Sequence, residues 1–125
     1  MHLQIRTVPA RSPANLAAFL TVLAEHEINL QSAGGSGIET GGEFIFSVEH
    51  GEEDRAIGVL QDAGYQPRLV EVQTCSLTDE PGQLLACISA VSDENVATGR
   101  SIRDITVGVP DADGRIQVQV YSDAT

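Results

Sequence analysis

The sequence predicts an α+β protein of 125 residues, a βαββαβ unit followed by a truncated βαββ copy of itself. Three observations carry that reading. Apolar and polar side chains alternate in several short runs, the pattern of a strand with one buried face. Two longer runs place apolar residues at i, i+3, i+4 and i+7 behind a proline, the pattern of an amphipathic helix with proline in its first turn. These two runs superpose at an offset of 68: Arg11-Ser12-Pro13-Ala14-Asn15-Leu16 lies over Asp79-Glu80-Pro81-Gly82-Gln83-Leu84. Strand, turn, helix start and stripe recur in the same order, which points to an internal duplication.

Residues 2–8 read as the first strand, half-buried, with Leu3, Ile5 and Thr7 on one face; Pro9 ends it. Ser12-Pro13 starts a helix, because serine caps free amides and proline lacks the N–H that would be orphaned there. Leu16, Phe19, Leu20 and Leu23 form its stripe, and the helix is expected to run from Pro13 to His26. Ile28 to Ala33 reads as the second strand and Glu43 to His50 as the third, the latter alternating Phe44, Phe46 and Val48 against Ile45, Ser47 and Glu49. Between them, Gly34 to Gly42 is a glycine-rich connection expected to be mobile, without the Gly-Lys-Ser/Thr of a phosphate loop. Glu52 to Ala63 is the second helix, apolar at Ala56, Ile57, Leu60 and Ala63, acidic at its positive end and closed by Gly64. From Gln66 to Leu77 the chain turns strand-like again.

The second copy supplies a helix with Leu84, Cys87, Ile88 and Val91 on its stripe. Two strands follow, Ser101 to Val109 and Arg115 to Tyr121, joined across the turn Asp113-Gly114. The units are expected to span residues 1–69 and 70–125. With one helix where the first copy has two, the second unit is left with apolar sheet surface or an open edge, which a homodimer is expected to cover.

A composition of 42% hydrophobic and 20% charged residues belongs to a folded globular chain. Seven basic residues, all arginine, against 18 acidic ones give a net charge of −11. That surface repels phosphate backbones and anionic lipid, so nucleic acid and membrane surfaces fall away as partners. Apolar runs stay well short of the roughly 20 residues of a bilayer span, and the alternating N-terminus has no apolar signal core, so a cytoplasmic protein is expected. Cys75 and Cys87 could form one disulfide, but nothing suggests a disulfide scaffold, and two reduced, buried packing cysteines are the expectation. His2, His26 and His50 have no metal-ligand spacing and read as surface residues. There is no Gly-x-Ser-x-Gly elbow, and a chain without lysine has no Schiff-base chemistry. No catalytic residue, metal or cofactor is expected.

The tandem order of elements, Asp79-x-Pro81-Gly82-x-Leu84 at a strand-to-helix turn, Ile28-Asn29-Leu30 entering the second strand and Val59-Leu60-Gln61-Asp62-Ala63-Gly64-Tyr65 closing the second helix together resemble ACT domains. More narrowly, the chain is similar to small free-standing proteins made of two ACT domains. The resemblance implies a ferredoxin-like fold and a non-enzymatic regulatory role, the binding of an amino acid or related small metabolite at an interface between ACT units. It also implies that the ligand's amino and carboxylate groups meet the first strand-to-helix loop. A helix N-terminus there offers unpaired N–H groups, and glycine permits a close approach.

Carried over by position, the candidate ligand-binding residues are Ser12, Pro13, Ala14 and Asn15 in the first copy and Asp79, Pro81, Gly82 and Gln83 in the second. Asn29 is the candidate contributed by a neighbouring unit. The sequence departs from the family pattern at Ala14, where glycine is usual, and at Arg11, where aspartate is usual. Val96-Ala97 stands where the offset of 68 puts the counterpart of Ile28-Asn29. Each copy thus keeps a different half of the motif. Either one composite site survives, serving a partner enzyme or regulator, or the scaffold persists as a protein-interaction subunit without a ligand. A small α+β enzyme with carboxylates in an inter-subunit cleft is the third reading. Plain alternatives stand beside the motif: Asp-Glu-Pro-Gly is also an ordinary turn and helix cap, and asparagine at an element's end often serves local backbone.

Overall fold

Strand β1 (His2–Thr7) sits between two neighbours and sets the order of the first sheet. The computed structural model describes residues 2–9 and 16–125, which divide into a unit Leu3–Val70 and a unit built on Glu71–Thr125. In the first, β1 is followed by α1 (Leu16–Glu25), β2 (Leu30–Gly35), β3 (Phe44–Val48), α2 (Glu53–Asp62) and the start of β4 (Arg68–Leu77). The strand order is β2-β3-β1-β4, and β3 runs antiparallel to both β1 and β2. This is the ferredoxin-like βαββαβ arrangement. In the second unit the rest of β4 leads into α3 (Gln83–Thr98), β5 (Arg100–Val107) and β6 (Ile116–Ala124). Its order is β4-β6-β5, with β6 antiparallel to both neighbours, so this copy is βαββ. The division between the units falls within β4, between Val70 and Glu71.

Aromatic packing builds the first core. Phe19 of α1 is fully buried and meets Phe44, Phe46 and Tyr65 edge-on, with ring centroids 5.6, 6.1 and 4.9 Å away. Ile5, Leu23, Ile28, Val48, Ala56 and Leu60 complete the cluster, with Leu16 and Leu20 packed partly against it. The second core is smaller: Val91, Val118 and Val120, flanked by Cys75, Leu77, Ile88 and Ile102. The buried residues of α3 are a narrow stripe, Cys87, Val91 and Asn95. By register Ile105 lies opposite Val120 and Val107 opposite Val118, so both share the face on which α3 packs. They remain 41% and 54% exposed, because one helix does not cover three strands.

Several expectations are corrected. β1 is not half-buried: Gln4 and Arg6, on the polar side of the alternation, are buried as deeply as Ile5. The Arg6 guanidinium donates to Gln4 Oε1 at 3.2 Å, a pairing that offsets part of the cost of burying them. β3 is likewise buried at every position, Ile45 and Ser47 included. The connection after β2 carries local structure of its own. β2 continues to Gly35, a single 3-10 turn covers Ile38–Thr40, and the amides of Thr40 and Gly42 donate to the Gly37 carbonyl at 3.0 and 2.7 Å. A side chain at Gly42 would run into the Ser36 and Gly37 backbone, so glycine is needed here for close approach.

The cysteines are not reduced packing residues. Cys75 on β4 and Cys87 on α3 are joined by a disulfide, with Cα atoms 5.8 Å apart. Alternation on β4 and the stripe on α3 turn both side chains into the same small core, which brings the sulfurs together.

The offset between the copies also changes along the chain. β2 is bulged between Leu30 and Ser32, and β5 between Ile102 and Asp104. Matching the bulges gives an offset of 72, Leu30 to Ile102, against 68 at the helix starts. The difference is about one helical turn, and α3 takes it up by running to Thr98. Val96 and Ala97 are therefore helical, and the counterpart of Asn29 is Ser101.

Candidate functional site

The turn from β4 to α3 carries Asp79, Pro81, Gly82 and Gln83 as one exposed segment, only Gln83 being half-buried. Glu80 N–H donates to the Thr78 carbonyl at 2.9 Å, and Gln83 N–H reaches the Glu80 carbonyl at 3.4 Å. Gly82 precedes the helix at φ 84°, a left-handed conformation that glycine adopts without penalty. Among the described residues no side chain caps this helix start. A Cβ at Gly82 would touch nothing within 4 Å, so the space beside the backbone is open. The arrangement leaves first-turn amides, with the positive end of a 16-residue helix behind them, available to an anionic group.

In the first unit, Ser12, Pro13, Ala14 and Asn15 lie outside the described residues. At the adjoining end of α1 the Leu16 amide donates to Glu39 Oε2 at 2.9 Å, a carboxylate delivered by the turn between β2 and β3. Asn29 is exposed at the other end of this sheet, where Leu30 pairs with Val48, whereas Thr7 pairs with Phe44 at the end where α1 starts. It lines a cleft of about 220 Å³ with Glu27, Ile28, Val48, Glu49 and Arg55. Within the unit, then, Asn29 and the start of α1 are not brought together.

A larger cleft of about 510 Å³ opens at the α1-start end of the same unit, lined by Val8, Glu43, Gly64, Tyr65, Gln66 and Arg68. Arg68 donates to both Glu43 carboxylate oxygens, at 3.1 and 3.2 Å from one nitrogen and 3.4 Å from Nε. Neither Glu43 nor Arg68 stands in a motif, and only the β3–β4 ends of the fold bring them together. Glu39 was equally hidden and the disulfide stood only as an option, since both depend on contacts across elements. No cluster of His, Cys, Asp and Glu among the described residues is arranged to hold a metal ion. Nor is any described helix long and apolar enough to cross a membrane.

No protein-family model matches the sequence, and no curated protein matches it. Solved structures do share the fold. Protein BT0572 from Bacteroides thetaiotaomicron is 20% identical, with a TM-score of 0.68 over 97% of this chain and 78% of that one. The ligand-free regulatory subunit of aspartate kinase from Thermus thermophilus is 19% identical, with a TM-score of 0.60 over 95% of this chain and 82% of that one. The corresponding subunit from Thermus flavus is 18% identical, with a TM-score of 0.60 over 94% and 81%.

Proposed function

We propose that the chain is a non-enzymatic regulatory module of the ACT type, with units at 1–69 and 70–125, binding an amino acid or related small metabolite at an interface between units. The observation that carries this reading is the start of α3, where Gly82 is left-handed, the backbone is open to approach and no described side chain caps the amides. The ligand's carboxylate takes those amides, the Asp79 carboxylate receives its ammonium group, and Pro81 and Gly82 hold the turn in shape. Gln83 adds a side-chain hydrogen bond. Asn29, or Ser101 in the second copy, completes the site from a neighbouring unit.

The likeness in fold to regulatory subunits of aspartate kinase supports an output felt by a partner enzyme or regulator. Such an output requires the ligand to favour one packing of the units over another. The module works as a cytoplasmic homodimer in this reading.

A thermal-shift screen against the common amino acids at millimolar concentration tests it. A ligand at 100 times its Kd stabilises by roughly 2.7 kcal/mol, a midpoint shift of several degrees for a domain of this size. Gly82→Val removes that shift, while the left-handed conformation costs the unliganded protein about 1–2 kcal/mol. An undiminished shift in the variant would place the ligand elsewhere.

One observation favours a second reading, the ligand-free scaffold. Glu39 already supplies a carboxylate to the Leu16 amide at the start of α1, in the copy whose loop carries Ala14 in place of glycine. No shift from any amino acid would make this the better account.

A further inference from the structure

The disulfide lies at the feet of the loop just described. Cys75 lies two residues before the end of β4 and Cys87 begins the buried stripe of α3, so the ring they close contains all of Asp79–Gln83. Little else holds that segment down. Leu84 and Leu85 in the first turn of α3 are 46% and 70% exposed. The Gln83 amide makes only a 3.4 Å bond, and no described side chain caps the helix. The far half of α3 has its own anchorage. Val91 packs on Val118 and Val120, and buried Asn95 donates to Ser122 Oγ at 2.9 Å, which donates in turn to Gln73 Oε1 at 3.0 Å. The near half has the disulfide, with the partly buried Ile88 one residue beyond it.

We infer that the Cys75–Cys87 bond is a thiol-responsive fastening that sets the conformation of the Asp79–Gln83 loop, and that dithiol reductants of the redoxin class release it. Cys75 is half-buried and Cys87 only 6% exposed, so the incoming thiolate attacks the Cys75 sulfur and Cys87 leaves as a thiolate. The reductant's second thiol then attacks its own sulfur in the mixed disulfide and expels Cys75. Two electrons pass to the protein, both cysteines take up protons, and the reductant departs as a disulfide. In a reducing compartment a disulfide is the exception and is typically of this responsive kind. The link to ligand binding rests on the proposed function; the conformational part does not.

Amide hydrogen exchange on the full chain separates the two. In the protein reduced with excess dithiothreitol, with both thiols verified by alkylation mass, residues 78–88 exchange about tenfold faster or more than in the oxidised protein. Segments of Leu3–Val70 and the β5–β6 pair stay unchanged, and reoxidation restores protection. The Cys75→Ser/Cys87→Ser variant shows the reduced pattern without reductant. Equal exchange at 78–88 in both states overturns the inference, as does a bond that resists dithiothreitol under native conditions. Loss of protection throughout β5 and β6 overturns it too, since the bond would then support the whole unit. Failure to bind any amino acid in either state sinks the ligand reading and leaves the exchange result standing.

Discussion

Asn95 shows what a single residue does that periodicity does not announce. It occupies the buried stripe of α3 four positions after Val91, where the helical period leads one to expect a hydrophobic side chain. Its amide instead anchors a buried polar chain through Ser122 to Gln73. Asn95→Ala removes the donor and leaves a small void, so we expect about 1–3 kcal/mol of destabilisation. Denaturant melts followed by circular dichroism measure it. Gln4 and Arg6 were illegible for the same reason: polar residues alternating with apolar ones read as a solvent face, yet they are buried at 0% and 3% exposure. Alternation reports chemistry along one strand and cannot report that its polar positions are buried as well. Conversely, Gly64 was legible because the left-handed backbone after a helix selects glycine locally, and its φ is positive.

Elements were the best-read level, and their limits are instructive. Order and type of the strands and helices followed from stripe and alternation, which are properties of short windows. Where an element ends depends on packing beyond the window. α3 runs one turn past the point set by the first copy, which moved the match for Asn29 from Ala97 to Ser101. A strand bulge has no sequence signature of its own, so the correction needed the register. The two helical stripes also differ in weight. Phe19 sits among Phe44, Phe46 and Tyr65, four of the five aromatics in the chain, whereas the stripe of α3 rests on three valines and the cysteines. Phe19→Ala is expected to cost about 3–5 kcal/mol. Tyrosine fluorescence reports it in denaturant, because Tyr65 belongs to that core.

At the scale of the whole molecule, charge and edges govern self-association. The bulges in β2 and β5 interrupt the backbone ladders of two edge strands, a device that discourages strand addition. The proposed homodimer therefore uses side-chain surface, for which Ile105 and Val107 on the α3 face of the second sheet are available. A net charge of −11 per chain opposes that contact. Raising salt from about 0.05 to 0.5 M shortens the screening length several-fold, so the dimer should tighten. Sedimentation velocity at the two salt concentrations checks this, and weaker association at high salt would instead indicate an ion-paired interface.

The covalent ring between Cys75 and Cys87 also changes what a cut in the chain means. Asp79 lies exposed in the turn inside that ring, open to a protease that cuts on the N-terminal side of aspartate. Cleavage there nicks the polypeptide into residues 1–78 and 79–125 without parting them, because the sulfur bridge still spans the break. The nicked molecule migrates as one species on a non-reducing gel and as two on a reducing gel. The second piece carries all of α3, β5 and β6, so a protein broken at its candidate binding loop remains a single molecule for as long as its surroundings stay oxidising.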